Sequence, residues 1–315
     1  MQKAIDAIKA ARSVILFTHR DPDGDAIGSM ISLYVALKKL RKKVDMFSSD
    51  PVPEMYRFLP HSELVKTKLP KRPVFDLAIV SDCGGIDRID GGFDVRTMVR
   101  TVINIDHHPD NTRFGDVNIV ESISSVSEII FSLLKKMKVK ITKEIAECLY
   151  VGIMTDTGNF RYDYTTADTF AVARELIKTG IEFSNIAMKV YESKTLPSVK
   201  ILGYAMYNLE TTKSGRVAWT VLSKKQMDEV GAKSEDLTGL VDTLRSVRGV
   251  EVAILFREEE DGIKVNFRSK YKVNVSKIAG KLGGGGHVRA SGAILDTSLE
   301  QAKKKVLSEV FKVIK

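Results

Sequence analysis

Cysteine is scarce: the 315-residue chain has two, Cys83 and Cys148, too few for a disulfide framework, so a reducing cytoplasm is the expected compartment. No charge-free apolar run approaches the roughly 18 residues that a membrane-spanning helix needs, and no membrane segment is expected. The opening MQKAIDAIKAARSVILF sets Asp6 and Arg12 among apolar residues at helical spacing. It lacks a long apolar core ahead of a small-residue cleavage site, which argues against a secretory leader. Internal repeats, low-complexity tracts, heptad arrays and zinc-finger spacings are missing as well.

What is there is a globular composition, 43% hydrophobic and 28% charged, with length for about two domains at the usual 100 to 200 residues each. The net charge of +9 is uneven. Residues 1–190 carry 27 Lys+Arg against 25 Asp+Glu, whereas residues 191–315 carry 22 against 15. An anionic partner is therefore expected on the C-terminal part. The basic runs at 38–43 and 303–305 read as solvated ends and faces of helices, where cations suit a C-terminal dipole.

The N-terminal half alternates strand-like apolar runs (Val14–Thr18, Lys43–Phe47, Asp76–Ser81, Thr101–Ile105) with helical patterns (Ile27–Leu40, Ser125–Met137, Thr142–Thr155, Thr166–Thr179). That alternation predicts an α/β domain over 1–190 with a mostly parallel sheet flanked by helices. The polar, Pro-containing YESKTLPSVK reads as a boundary, with a linker at 191–197. Beyond it, RVAWTVL, VEVAILFRE and IKVNFRS, a helical segment at Glu235–Ser246 and a closing helix at Leu299–Ile314 predict a smaller α+β domain over 198–315.

The unusual residues cluster where strands or helices end. THRDPDGDAIGS crowds His19, Asp23 and Asp25 into one loop, Asp82 follows LAIVS, Asp106-His107-His108 follow TVINI, and Asp156 lies in GIMTDTGNF. In an open α/β sheet, ligands bind outside the carboxyl ends of the strands, so all four segments can converge. A turn with an N-capping carboxylate would account for Asp21 to Asp25 but not for His19. Imidazole mixed with carboxylate suits manganese or a related first-row divalent ion, and eight groups exceed the needs of one ion. Two ions with a bridging carboxylate and an activated water attacking phosphorus would use them.

Together, THRDPDGDAIGS, VSDCG, NIDHHPDN and GIMTDTGNFRY resemble the DHH phosphoesterase superfamily, and GKLGGGGHVRASG resembles the signature of its companion DHHA1 domain. The likeness spans essentially the whole chain and is greatest to the stand-alone DHH–DHHA1 group of nanoRNases, pAp phosphatases and cyclic di-AMP or pApA phosphodiesterases. Cys83 is the one departure, at a position where a small or hydroxylic residue is more familiar. The resemblance implies that His19, Asp23 and Asp82 hold one metal ion and that Asp25, Asp82, His107 and Asp156 hold the second, with Asp82 bridging. It implies two Mn2+, with Mg2+ or Co2+ as alternatives. Asp106 would orient a neighbouring His, and His108 would contact the scissile phosphate or assist the leaving oxygen.

Gly283 to Gly286, with His287 and Arg289 beyond them, read either as a mobile loop or as backbone brought close to an anion. No Walker A continuation follows. Gly284, Gly285, Gly286 and His287 would grip a phosphate with Arg268 and Ser269 from the adjacent NFRSK, as the resemblance supports. Arg161 and Phe160 are candidates for phosphate or base contact, Phe160 equally for a hydrophobic lid. Trp219 and Cys148 read as core, and His61 has no ligand partners nearby in sequence. The expected activity is hydrolysis of short nucleotides such as pApA, nanoRNA and cyclic di-AMP to 5'-mononucleotides, with pAp 3'-phosphatase activity. The expected partners are short oligonucleotides, not membranes or long duplex nucleic acid; a homodimer is allowed. The rival readings are a pyrophosphatase or polyphosphatase and a catalytically silent nucleotide sensor. A silent sensor should have lost a metal ligand, and none of the six is missing.

Overall fold

The computed structural model describes residues 1–69, 74–89, 92–260 and 262–314. By internal contacts the chain divides into a unit at Met1–Ser193 and a unit at Lys194–Lys315, and the expected end of the second domain, Lys315, lies outside the described residues.

In the first unit, helix α1 (Gln2–Ala10) leads into β1 (Ser13–Phe17), α2 (Gly24–Lys39) and β2 (Lys43–Phe47). Next come β3 (Val65–Lys66), β4 (Phe75–Ser81), β5 (Val99–Asp106) and β6 (Val117–Val120). Four helices close the unit: α3 (Val126–Lys136), α4 (Lys143–Asp156), α5 (Ala167–Ile177) and α6 (Phe183–Tyr191). The six strands pair in parallel in the order β3-β2-β1-β4-β5-β6. The chain therefore leaves β1 toward one edge and β4 toward the other, so the order reverses between them, where a crevice for ligands opens. One face of the sheet buries Val14, Leu16, Leu77, Ile79, Ile103 and Ile105 against α1 to α4. The opposite face carries Ile15, Phe17, Val80 and Val102 and is covered by short 3-10 turns and loops that supply Ile89, Val95 and Met98. The sheet is parallel throughout and flanked by helices, as expected, with α1 to α4 on one face. Within the basic run at 38–43, Lys42 is not simply solvated: its Nζ donates to the carbonyls of Lys9 (3.2 Å) and Ala11 (2.5 Å), satisfying the end of α1.

The second unit begins with α7 (Leu196–Tyr207), followed by β7 (Glu210–Thr211), β8 (Val217–Leu222), α8 (Lys224–Val230) and α9 (Leu240–Ser246). It continues through β9 (Val252–Glu259), β10 (Gly262–Ser269), α10 (Val275–Lys281), β11 (Gly285–Gly286) and β12 (Ala290–Leu295) to α11 (Leu299–Phe311). Its sheet runs β11-β12-β10-β9-β8-β7 and is mixed, with β8 and β9 parallel and the other pairs antiparallel. One face packs on α7, α8 and α9, the other on α10 and α11, and Trp219 rests half-buried against the latter core.

The polar stretch read as a boundary contains the division between the units, after Ser193, and its second half is the start of α7. Thr195 accepts a hydrogen bond from the Ser198 amide and Pro197 sits in the first turn, where a missing N–H costs nothing, so the non-helical connection shrinks to 192–195. The helix expected from Glu235 starts only at Leu240, because Gly239 in the left-handed region (φ 78°) separates it from a 3-10 turn at Ser234–Leu237.

Candidate metal centre

The carboxyl ends of β1, β4 and β5 and the last residue of α4 supply the side chains that gather in the first unit. After β1 the chain turns into α2 with Asp23 as its N-cap: Oδ1 of Asp23 accepts from the amides of Asp25 and Ala26, both at 3.0 Å. Such a cap is worth about 1 kcal/mol. The capping reading of this loop is therefore realised, and it occupies one Asp23 oxygen only. Asp25, fully buried in the first turn of α2, is turned toward a second helix. Its Oδ2 accepts from the Val126 amide (2.6 Å), and its Oδ1 accepts from the Ser127 amide (3.0 Å), the Ser127 hydroxyl (2.5 Å) and the Ser29 hydroxyl (3.2 Å). The positive end of α3 thus fixes the carboxylate.

Two glycines let α2 and α4 approach closely enough to bring Asp25 and Asp156 together. A Cβ on Gly28 would overlap the Cys148 carbonyl oxygen, and one on Gly152 would overlap Ser127 Oγ and Asp25 Oδ1. Asp156 closes α4, and Gly158, Asn159 and Phe160 follow it in the left-handed region (φ 57°, 62° and 60°), turning the chain sharply away. Phe160 stacks on Phe170 (ring centroids 5.3 Å apart) and packs toward Tyr150 (6.1 Å), which places its ring on the hydrophobic core, as the lid reading has it. Arg161 is exposed, its Nε donating to the Gly158 carbonyl at 2.5 Å.

Asp82 is the centre of the arrangement. It follows β4 with φ 57°, a left-handed conformation that an Asp tolerates at a cost of order 1–3 kcal/mol. The turn is held by its amide donating to Ile105 O (2.9 Å) and by Nδ2 of Asn104 and of Asn111 donating to Cys83 O (3.1 and 3.3 Å). Single ligand atoms of His19, Asp23 and Asp82 lie within 4.8 Å of one another; the same holds for Asp25, Asp82 and His107, and for Asp82, Asp106 and His108. Asp82 belongs to all three groups. Asp156 joins through Oδ2, 3.2 Å from His107 Nε2.

The imidazoles are oriented from behind. Nδ1 of His19 meets the Arg20 carbonyl at 2.6 Å and Nδ1 of His107 meets the Ile123 carbonyl at 3.1 Å. A carbonyl only accepts, so Nδ1 carries the proton and Nε2 is the metal-binding nitrogen, aimed at Asp82 at 3.6 Å from His19 and 3.7 Å from His107. His108 differs: its Nδ1 donates to Asp106 Oδ1 at 2.8 Å, and the other oxygen of Asp106 accepts from Asn111 Nδ2 at 2.5 Å. Asp106 is fully buried, and the histidine it orients is His108.

So many charges in a buried space disturb one another. Burial lowers the pKa of His19 and of His107, but Asp82, Asp23 and the Arg20 carbonyl together outweigh it at His19, raising that group to about 9, and Asp156, Asp82, Asp25 and the Ile123 carbonyl raise His107 to about 10. Burial and the Asp82 charge push Asp25 up to about 7, and burial raises Asp156. Asp82 goes the other way: despite burial, His19, His108 and His107 hold it well below the usual carboxylate range. No hydrogen bond reaches the buried oxygens Asp82 Oδ1 and Asp156 Oδ2 among the described residues. A buried carboxylate oxygen without a donor is costly. Divalent cations would satisfy both, so the donor set fits metal ions in chemistry, burial and orientation. Cys83 is buried beside this centre, its Sγ 3.0 Å from Gly85 O and its thiol pushed up to about 12 chiefly by burial, so it stays protonated and leaves the ligation to its neighbour.

In the second unit the glycine run is a built hairpin, not a mobile loop. Gly285 and Gly286 pair with Gly292 and Ser291, and His287 sits at the turn with its amide on Ala290 O (2.7 Å). Gly283 (φ 82°) and Gly286 (φ 128°) need conformations that favour glycine, and a Cβ on Gly284 would overlap the Gly292 carbonyl and Ala293. Gly285 has neither constraint: a Cβ there meets no described atom within 4 Å. We therefore expect Gly284→Ala to lower stability by roughly 1–3 kcal/mol and Gly285→Ala to leave it unchanged in thermal melts. If the backbone at 285 lies against a nucleotide phosphate, Gly285→Ala alone raises KM at an unaltered melting temperature. Arg268 lies on β10 opposite Ala290, its side chain 28% exposed. Ser269 is buried, its hydroxyl donating to Val273 O (2.7 Å).

Sequence reasoning missed Asn104, Asn111, Ser127 and the glycines at 28 and 152. Asn104 and Asn111 stand inside NIDHHPDN, Gly28 inside THRDPDGDAIGS and Gly152 inside GIMTDTGNFRY, and those motifs were the available signal; Ser127 reaches Asp25 across 102 residues and left none.

Residues 13–153 match the DHH family, N-terminal domain, and residues 213–315 match the DHHA1 domain. The chain belongs to the DHH–DHHA1 phosphoesterases and is a hydrolase acting on phosphodiester bonds. It is 35% identical to the bifunctional oligoribonuclease and PAP phosphatase NrnA of Thermus thermophilus, over 98% of this chain and 93% of that protein. It is 34% identical to the protein of the same name from Bacillus subtilis, over 92% and 91%. A crystal structure of an exopolyphosphatase-related protein from Bacteroides fragilis superposes with a TM-score of 0.91 at 30% identity, covering 99% of this chain and 96% of that one.

Proposed function

We propose that this protein hydrolyses very short oligonucleotides, pApA foremost, to 5'-mononucleotides and removes the 3'-phosphate of pAp. The observation that carries the reading is Asp82, common to three ligand groups and left with a buried oxygen that no hydrogen bond among the described residues reaches. The substrate class is supported by the names of the relatives from Thermus thermophilus and Bacillus subtilis.

His19, Asp23 and Asp82 would hold one Mn2+, and Asp25, Asp82, His107 and Asp156 the other. When bound, two such ions supply Lewis acidity, lowering the proton affinity of the attacking water and offsetting phosphate charge. The chain's own residues do the rest. The carbonyls of Arg20 and Ile123 keep the two ligating imidazoles in the Nε2-presenting tautomer. The hydrogen bonds from Val126 and Ser127 keep Asp25 aimed and favour its charged form against the burial that raises it. Asp106 accepts from His108 Nδ1 and leaves Nε2 as the nitrogen that donates to a phosphate or leaving oxygen when the ring carries both protons. In the second unit, Arg268, His287 and the backbone near Gly285 would take a further phosphate of the nucleotide, which gives the basic excess a purpose.

A panel of pApA, cyclic di-AMP, RNA of increasing length, pAp, pyrophosphate and polyphosphate tests this with purified protein and Mn2+. Turnover should be highest on the dinucleotide, fall with RNA length, and vanish after chelation with EDTA. Arg268→Ala should cost roughly ten- to 150-fold on pApA, the worth of a charge-assisted hydrogen bond, and little on bis(p-nitrophenyl) phosphate, which has no second phosphate to hold. The exopolyphosphatase-related crystal structure favours a second reading, polyphosphate hydrolysis. Turnover of pyrophosphate or polyphosphate with none of the nucleotides would establish that reading and overturn the first.

A further inference from the structure

We infer that Asp242 is a positioning residue for phosphate recognition in the second unit, holding Arg268 and Arg245 as one pre-set pair of guanidinium groups. The inference rests on the reading of Arg268 as a phosphate contact and extends it to residues that lie outside every motif of the sequence.

Asp242, on the short helix α9, gives one carboxylate oxygen to each arginine. Its Oδ2 accepts from Arg268 Nε at 3.2 Å and its Oδ1 lies 3.1 Å from Arg245 Nη2. Each guanidinium is then anchored to a backbone carbonyl of β10: Arg268 Nη1 donates to Phe267 O and Arg245 Nη1 donates to Ser269 O, both at 3.1 Å. The two planes are fixed by two points each, one on the shared carboxylate and one on the strand. A guanidinium has five N–H donors. Arg268 uses one on Nε and one on Nη1, and no described group takes those on Nη2. That edge belongs to a side chain 28% exposed, whereas Arg245 behind it is 13% exposed. The arrangement presents one guanidinium edge outward and backs it with a second.

The local charge supports an anionic ligand. Lys270, whose Nζ donates to Val247 O at 3.2 Å, adds a third cation near Arg245, beside the two arginines that share the Asp242 carboxylate. Two guanidiniums this close repel each other, and Asp242 is what allows them to stand together before any ligand arrives. Ordering long side chains during folding and not during binding is how preorganisation raises affinity. A phosphate oxygen on Arg268 then needs no rearrangement of the arginine.

The test uses the full chain with Mn2+, in four forms: wild type, Asp242→Asn, Arg268→Ala and the double variant. Steady-state kinetics are measured on pApA and on bis(p-nitrophenyl) phosphate. Asp242→Asn should raise KM for pApA about tenfold with kcat within about twofold, and leave the small diester unaffected. In the Arg268→Ala background, the Asp242 substitution should cost nothing further on pApA, because the group it positions is gone. A loss of folded protein lowers turnover on both substrates alike, so the ratio between them removes it; Asp242→Ala serves as a second variant on the same ratio. Additive losses from Asp242 and Arg268, or equal losses on the two substrates, would overturn the role given to Asp242 while leaving Arg268 as the contact. A silent Arg268→Ala would overturn the phosphate-contact reading itself, and the positioning role with it.

Discussion

Asp82→Ala is expected to abolish activity and to empty the whole metal centre. A ligand at the rim of a site can be lost with one ion. Asp82, however, is within 4.8 Å of ligand atoms on both the His19–Asp23 side and the Asp25–His107 side, so both groupings lose a member at once. The side chain is buried, and its removal leaves His19 and His107 without the carboxylate they both face at 3.6 and 3.7 Å. Turnover should fall by roughly 10³-fold or more, the scale on which removal of transition-state charge stabilisation is felt. Elemental analysis of the purified variant checks the cause: wild type should retain two ions per chain and Asp82→Ala fewer than one. A control at Asp6, on α1, should change neither quantity. Two ions per chain in Asp82→Ala would show that the ligand assignment is wrong.

His108→Ala is expected to separate chemistry from metal holding. Its Nδ1 is committed to Asp106 at 2.8 Å and lies 3.7 Å from Asp82, so the ring is oriented by a carboxylate and not by a carbonyl as His19 and His107 are. A histidine so held suits donation to a developing negative charge. Its loss should lower kcat by about 10²- to 10⁴-fold, the range of general acid and base catalysis, with ion content unchanged. Asn111→Ala, which removes the 2.5 Å hydrogen bond to the far oxygen of Asp106, should reproduce a smaller part of the same defect. An ion lost from His108→Ala would move that histidine into the ligand set and leave the chemistry to another group.

Much of this was legible in the sequence because it is local. Val14–Thr18, Lys43–Phe47 and Asp76–Ser81 are apolar runs bounded by polar residues, and they became strands to within a residue at either end. The six proposed metal ligands follow such runs or close a helix, and the family motifs name them outright. Errors arose where one residue type has two uses. Pro197 reads as a breaker in isolation, yet in a first turn it starts a helix. The glycine run is open to two readings, a mobile loop or a close backbone approach, and three of its four members are required by backbone conformation or by the closeness of a neighbouring strand.

The sequence by itself determined the class of fold, the kinds of ligand atom and the uneven charge, because these follow from composition, periodicity and short motifs. Only the tertiary structure decided how the groups meet. Strand order places the ends of β1 and β4 side by side, although residues 18 to 74 intervene along the chain. Ser127 reaches Asp25 from 102 residues away, and Asp242 reaches Arg268 from 26. Hydrogen bonds and helix contacts of that span depend on the packing of whole elements, and no local pattern carries them.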